Sequence, residues 1–125
     1  MSDDAKKTLL VVEDDQFYSS IFKKKFTLEG YDVALASDGD QCLKFVRERK
    51  PNLILLDMVM PVKDGLSTLK ELKADESLKN IPVIILSNLG QEADIAETMK
   101  QGAVDYVVKS NMSVSDMVEK VRKYI

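Results

Sequence analysis

The sequence predicts an α/β fold, a five-stranded parallel sheet with five helices packed on its two faces. Three observations carry this expectation. Five short apolar runs alternate strictly with five amphipathic stretches along 125 residues, and such alternation implies parallel strands joined by right-handed crossovers. The third run, Leu53-Ile54-Leu55-Leu56, is apolar at consecutive positions and too short for a solitary helix, which suits a strand buried on both faces. The last stretch spaces Val114, Met117, Val118, Val121 and Ile125 as one apolar face of a helix requires.

Each element has its own local signal. The first strand is Thr8-Leu9-Leu10-Val11-Val12, ending in Glu13-Asp14-Asp15. A helix is expected from there to Leu28, with Phe17, Ile21, Phe22 and Phe26 on its buried face and Gly30 as its stop. Asp32 to Ala36 forms the second strand, and Ser37-Asp38-Gly39-Asp40 is turn material. Cys42, Leu43 and Val46 mark a helix that runs into Arg49, where Pro51 blocks continuation. The third strand ends at Asp57, because Pro61 forbids a longer central strand.

Asp64-Gly65 then reads as a turn feeding a helix that buries Leu66, Leu69 and Leu72. Val83 to Ser87 is the fourth strand. Gln91 to Gln101 is helical with Ala93, Ala96 and Met99 on one face, stopped by Gly102. Tyr106-Val107-Val108, ending at Lys109, is the fifth strand. No linker, repeat or low-complexity tract interrupts the chain, so residues 1–125 are expected to form a single domain with its core from about residue 8.

The bulk properties narrow the function. Apolar residues make up 45% and charged residues 31%, which is the balance of a globular chain rather than a disordered one. The net charge of −3, with lysines and arginines mixed among acids, shows no footprint for nucleic acid. No apolar stretch reaches membrane-spanning length, and the one cysteine, Cys42, suits a reducing cytoplasm. Histidine is absent, which excludes histidine-based triads, histidine general bases and most zinc sites.

In a parallel sheet every strand points its carboxyl end at one edge, where open α/β sheets bind ligands. The residues that follow the apolar runs are Glu13-Asp14-Asp15, Asp57, Ser87 and Lys109. Clustered carboxylates repel, so their pKa values rise or a cation neutralises them. Oxygen donors without sulfur or imidazole suit Mg²⁺, and a Mg²⁺ site with open positions suits phosphoryl transfer. Taken alone, each residue has an ordinary explanation. Asp14 or Asp15 can cap the first helix, and for Asp15 that reading is preferred to metal ligation; Ser87 can be a turn residue and Lys109 a solvated one. Met58 and Met60 read as packing, Cys42 as a buried small residue.

The chain resembles a response-regulator receiver domain of the single-domain, chemotaxis-regulator type, the phosphoryl-accepting partner of sensor histidine kinases. The resemblance covers residues 8–125 and rests on Leu-Leu-Val-Val-Glu13-Asp14-Asp15, on Leu55-Leu56-Asp57-Met58-Val59-Met60-Pro61 with Asp64-Gly65, on Ile84-Ile85-Leu86-Ser87, and on Asp105-Tyr106-Val107-Val108-Lys109. It implies a flavodoxin-like, doubly wound sheet of strand order 2-1-3-4-5. It also implies that Asp57 is the phosphoacceptor and that Asp14, Asp57 and the backbone carbonyl of Val59 hold Mg²⁺, with Glu13 acting through water. Lys109 would neutralise a phosphoryl oxygen, Ser87 would move to bond another, and Tyr106 would rotate into the space Ser87 leaves.

The expected partners are a sensor histidine kinase or a histidine phosphotransfer protein, and a downstream protein, with no nucleic acid or membrane bound by this domain. A cytoplasmic monomer or weak dimer is expected, catalysing only its own phosphorylation and dephosphorylation. Val59 and Leu89 would flank the water approach to the phosphoryl group and slow its loss.

Two departures stand out. The family's lysine usually precedes a proline in a cis peptide, whereas Ser110 follows Lys109 here; the cis bend is expected to be kept. The residue after the switch hydroxyl is usually small, and here it is Asn88. The competing readings are an unphosphorylated pseudo-receiver scaffold and a phosphohydrolase of the haloacid-dehalogenase type. The second wants an acid two residues after the nucleophile, where this chain has Val59.

Overall fold

Five strands and five helices alternate along the chain in a computed structural model that describes residues 6–88 and 91–125. In order they are β1 (Thr8–Val12), α1 (Gln16–Leu28), β2 (Asp32–Ala36), α2 (Gly39–Glu48), β3 (Leu53–Asp57), α3 (Gly65–Ala74), β4 (Val83–Ser87), α4 (Glu92–Lys100), β5 (Asp105–Val108) and α5 (Val114–Arg122), with a 3-10 turn, Lys109–Asn111, leading into α5. The strands form one sheet in the order β2-β1-β3-β4-β5, and every neighbouring pair is parallel. This is the expected doubly wound architecture. Among the described residues no helix is long and apolar enough to cross a membrane.

The two-residue period of the strands sorts their side chains into two cores. Leu10, Val12, Ile54, Leu56, Val83 and Ile85 pack with α2 and α3 on one face; Leu9, Val11, Leu53, Leu55, Ile84 and Leu86 pack with α1 and α5 on the other. The central strands are buried along their whole length, which explains their unbroken apolar sequence. Registry aligns the strand ends: Val12 lies beside Leu56, Asp57 beside Leu86 and Ser87 beside Val108. Glu13, Asp57, Ser87 and Lys109 therefore leave the sheet at one edge.

Asp15, Asp38, Asp64 and Ser113 each cap the helix that follows by accepting backbone N–H groups. Gly30 and Gly102, at φ of 99° and 110°, stop α1 and α4 in the left-handed region that glycine enters freely.

Four helical or backbone expectations need correction. Phe17 is 69% exposed, because Asp15 starts α1 so that Phe22 and Phe26 point inwards and the first turn faces solvent. In α3, Thr68 is fully buried beside Leu69 and Leu72 while Leu66 is only half-buried; the Thr68 hydroxyl donates to the Asp64 carbonyl at 2.7 Å, so the group has its bond and can enter the core. In α4 the buried face is Ile95 and Thr98, and the Ala93, Ala96 and Met99 stripe faces solvent. Thr98 again donates locally, to the Ile95 carbonyl at 2.7 Å. Finally, no described peptide bond is cis; Lys109–Ser110 is trans and enters the 3-10 turn directly. Without a proline, trans is the lower-energy isomer by roughly 2.5–4 kcal/mol.

The loop between β3 and α3 carries a strained residue. Val62 has φ of 68°, and the Lys63 N–H donates to the Pro61 carbonyl at 2.7 Å, closing a three-residue γ-turn of left-handed sense. A β-branched residue in that region costs of order 1–3 kcal/mol, and the Val62 side chain is exposed, so it recovers nothing by packing. Val62→Gly or Val62→Asn should raise the unfolding free energy by about 1 kcal/mol. Urea denaturation checks this, and a loss of stability in both variants would show that the turn is not strained.

Candidate functional site

The site is assembled from the ends of four adjacent strands, β1, β3, β4 and β5, and the first turn of α1. Asp57 ends β3, is 3% exposed, and accepts the Val59 N–H at 3.3 Å through Oδ1. Glu13 follows β1 and is equally buried. One of its oxygens accepts the Asp15 N–H at 3.1 Å and the other the Lys109 ammonium at 2.7 Å. Lys109 Nζ also lies 3.5 Å from Asp57 Oδ2. Asp14 is exposed at the rim, and carboxylate oxygens of Glu13, Asp14 and Asp57 all come within 4.8 Å of one another.

Ser87 is wholly buried, and its hydroxyl donates to the Val107 carbonyl of β5 at 3.1 Å, away from Asp57. Tyr106 lies on the outer side of β5 and is 41% exposed. Val59 is exposed beside Asp57. Leu89 lies outside the described residues.

The structure thus brings together Glu13, Asp14, Asp57 and Lys109, with Ser87 on the next strand. It assigns Asp15 to the helix cap: Oδ1 accepts from Phe17 N at 2.8 Å and Tyr18 N at 3.4 Å. Cys42 stays outside the site, a buried thiol pushed up to about 12 by burial. Gly65, which the sequence reads as part of a turn and of the segment around Asp57, lies where a Cβ would fall on the Asp57 carbonyl oxygen and come 2.7 Å from Met58 Cα. One participant was missed altogether. Tyr18 places its ring centroid 4.5 Å from Lys109 Nζ, a contact across the fold that helical periodicity does not reveal.

The electrostatics favour a small divalent cation. Three carboxylates and one ammonium leave the cluster at −2 when all are ionised, from −3 for Glu13, Asp14 and Asp57 and +1 for Lys109. The Glu13 carboxyl is pushed up to about 7, first by burial and then by the Asp57 carboxyl beside it, against the pull of Lys109. Burial lowers the Lys109 pKa, but the bond to Glu13 and the charge of Asp57 outweigh it and hold the ammonium above its usual value. A buried acid that resists ionisation among other acids is a cluster short of positive charge. The donors are all oxygen, the set that Mg²⁺ prefers.

This gives a pH dependence of known sign. A carboxyl whose folded pKa exceeds its unfolded value of about 4.3 keeps its proton in the folded chain after the unfolded chain has released it. Its contribution is full below about pH 4 and is lost as pH rises through about 7, by up to about 3 kcal/mol. Without divalent cation, the parent should therefore lose stability relative to Glu13→Gln between about pH 5 and pH 8, and Mg²⁺ should reverse the loss. Urea denaturation across this range checks it; a difference that does not vary with pH would contradict the assignment.

The fold and the edge cluster define a class: a doubly wound α/β domain with a buried, cation-ready aspartate at the carboxyl edge of its sheet. The family model for the response regulator receiver domain matches residues 9–122, and the chain belongs to that family. It is 38% identical over 104 residues to the "Probable transcriptional regulator ycf27" of Cyanophora paradoxa, covering 83% of this chain and 42% of that longer protein. It is 30% identical over 119 residues to the polar-differentiation response regulator DivK of Brucella anthropi, covering 95% of this chain and 96% of the relative. Among solved structures, the receiver domain of sensor histidine kinase PA1611 from Pseudomonas aeruginosa, which has a magnesium ion coordinated in its active-site cleft, superposes with a TM-score of 0.87 at 26% identity, over 96% of this chain and 98% of that one. Receiver domains pair with sensor histidine kinases, and PA1611 carries its receiver within the kinase itself.

Proposed function

We propose that Asp57 accepts a phosphoryl group from the phosphohistidine of a sensor kinase or a histidine phosphotransfer protein, and that the modified domain then binds a downstream protein. The observation that carries this is the meeting of the Glu13, Asp14 and Asp57 oxygens within 4.8 Å, with the Lys109 ammonium 3.5 Å from Asp57. Asp14, Asp57 and the Val59 backbone carbonyl would hold Mg²⁺, and Glu13, whose oxygens already accept from Lys109 and Asp15, would act through water. When bound, the metal neutralises the charge that gathers on the phosphoryl oxygens.

The chain's own residues do the rest. An Asp57 carboxylate oxygen attacks phosphorus, the phosphorus–nitrogen bond breaks, and its electron pair stays with the donor imidazole. Lys109 supplies a positive charge to one phosphoryl oxygen. Burial of the pair keeps bulk water away from the acyl phosphate. The new group adds close to two negative charges. That draws the Ser87 hydroxyl from the Val107 carbonyl, its partner here, towards a phosphoryl oxygen. Tyr106, outward and partly exposed, then turns into the space released, and the β5 face changes for a partner. The domain would work in the cytoplasm as a monomer or weak dimer, catalysing only the gain and loss of its own phosphoryl group.

The scaffold alternative leaves the complete set of Glu13, Asp14, Asp57, Ser87 and Lys109 without a use. The phosphohydrolase alternative lacks its acid, since Val59 stands two residues beyond Asp57. Treatment with acetyl phosphate and Mg²⁺ should add the mass of one phosphoryl group to the intact protein, located on Asp57 by peptide mapping. Chelation should abolish the uptake, and labelling unaffected by chelator would sink the reading.

A further inference from the structure

We infer that Tyr18 is a positioning residue for Lys109, holding the ammonium at the phosphoryl site through the face of its ring. The inference rests on the phosphoacceptor reading of Asp57 and adds a residue to it. Lys109 reaches the site on a flexible four-carbon stem, and among the described residues its ammonium meets Glu13 Oε1 at 2.7 Å, Asp57 Oδ2 at 3.5 Å and the Tyr18 ring, centroid at 4.5 Å. The lysine side chain is only 6% exposed, so little solvent competes with the ring. An ammonium within about 6 Å of an aromatic face is attracted by the ring's quadrupole, more strongly where water is excluded.

The ring is itself fixed. It packs against Phe22 with centroids 5.9 Å apart, and Phe17 meets it edge to face at 5.6 Å. Its backbone N–H lies 3.4 Å from the Asp15 carboxylate that caps α1, and the Asp15 N–H donates to Glu13. One hydrogen-bonded turn, Glu13 to Tyr18, thus carries acids of the site and the support for its lysine.

The three neighbours differ in chemistry. A cation competes with the ammonium for Glu13 and Asp57, a phosphoryl oxygen competes with those acids for the ammonium, and their bonds to it change when the site is used. The ring attracts the ammonium through its face and offers no carboxylate for a cation to take, so it can hold Nζ in both states. Phosphoryl transfer depends on placing that charge, and the ring therefore acts on the rate through Lys109 alone.

The test is a double-mutant cycle on the full chain, reading the initial rate of acetyl phosphate labelling at saturating Mg²⁺. Tyr18→Leu should slow labelling by roughly three- to tenfold, and Tyr18→Phe, which keeps the ring, should restore most of the rate. In a Lys109→Ala background the Leu substitution should cost nothing further. Mg²⁺ affinity by calorimetry should be the same in parent and Tyr18→Leu. The Lys109 Hε resonances should move upfield beside the ring and lose that shift in the Leu variant only. Equal slowing in both lysine backgrounds, or a Phe variant as slow as Leu, would assign Tyr18 to packing and overturn the inference. A parent that takes no phosphoryl group would overturn the phosphoacceptor reading and this one with it, whereas a labelled parent with an unaffected Leu variant overturns only this one.

Discussion

Asp57→Asn will take up no phosphoryl group from acetyl phosphate or from a phosphorylated kinase, under conditions that label the parent fully. On the proposed reading the carboxylate is the nucleophile, and a carboxamide oxygen in its place is too weak to displace the donor. The substitution is nearly isosteric, so it leaves the end of β3 in place. The nearest substitute nucleophiles do not help: Glu13 is buried and engaged by Lys109 and Asp15, and Asp14 sits at the rim. The cluster charge falls from −2 to −1, so Mg²⁺ should also bind at least tenfold more weakly, or about 1.4 kcal/mol. Asp14→Asn makes the contrasting case. It keeps the nucleophile and loses a ligand, so it should label slowly and need far more Mg²⁺. Intact-mass measurement and calorimetry separate the two, and full labelling of Asp57→Asn would end the assignment.

The second large effect is expected at Gly65. Replacing it with alanine should destabilise the fold by about 3 kcal/mol and slow labelling together. The added Cβ would meet the Asp57 carbonyl oxygen, the Met58 Cα and the Asp57 carbonyl carbon, all of them backbone. No side chain there can rotate away. Either α3 lifts from the sheet, opening the core around Leu69 and Leu72, or the end of β3 shifts and takes the Asp57 side chain with it. Gly30 provides the control: it has positive φ but open space around the missing Cβ, so Gly30→Ala carries only backbone strain of about 1 kcal/mol and should label normally. Urea denaturation with labelling rates tests the pair. A Gly65→Ala protein as stable as the parent would show that the approach of α3 to β3 is loose.

The strands were legible because they are buried on both faces and their apolar runs have no alternative reading. The acids, Ser87 and Lys109 were legible because a parallel sheet aligns its carboxyl ends, so the residue after each run lands at one edge. The misread positions share a cause. In α4 the Ala93, Ala96 and Met99 stripe and the Ile95, Thr98 stripe have the same three-residue spacing, and only the sheet decides which turns inwards. Thr68 and Thr98 enter the core because each hydroxyl finds a carbonyl in its own helix, a bond that polarity scales overlook. Phe17 sits at helical spacing from Ile21, but the cap at Asp15 fixes the rotation of α1. The trans link after Lys109 shows that the lysine reaches Asp57 without the bend. Tyr18 joins the site through a residue 91 positions further along the chain, which no local pattern records.

The distances along the chain have a consequence for the timing of activity. The ion pair between Lys109 and Glu13 spans 96 residues and that between Lys109 and Asp57 spans 52. Contacts of such sequence separation form late, after the intervening loops have closed. The lysine directly follows β5 and is made after Asp57 and every other strand of the sheet. A nascent or partly folded chain can present Asp57 but cannot present it beside its counter-charge. On the proposed reading the acceptor is armed by the completion of folding itself, and incompletely folded copies should label more slowly than mature ones.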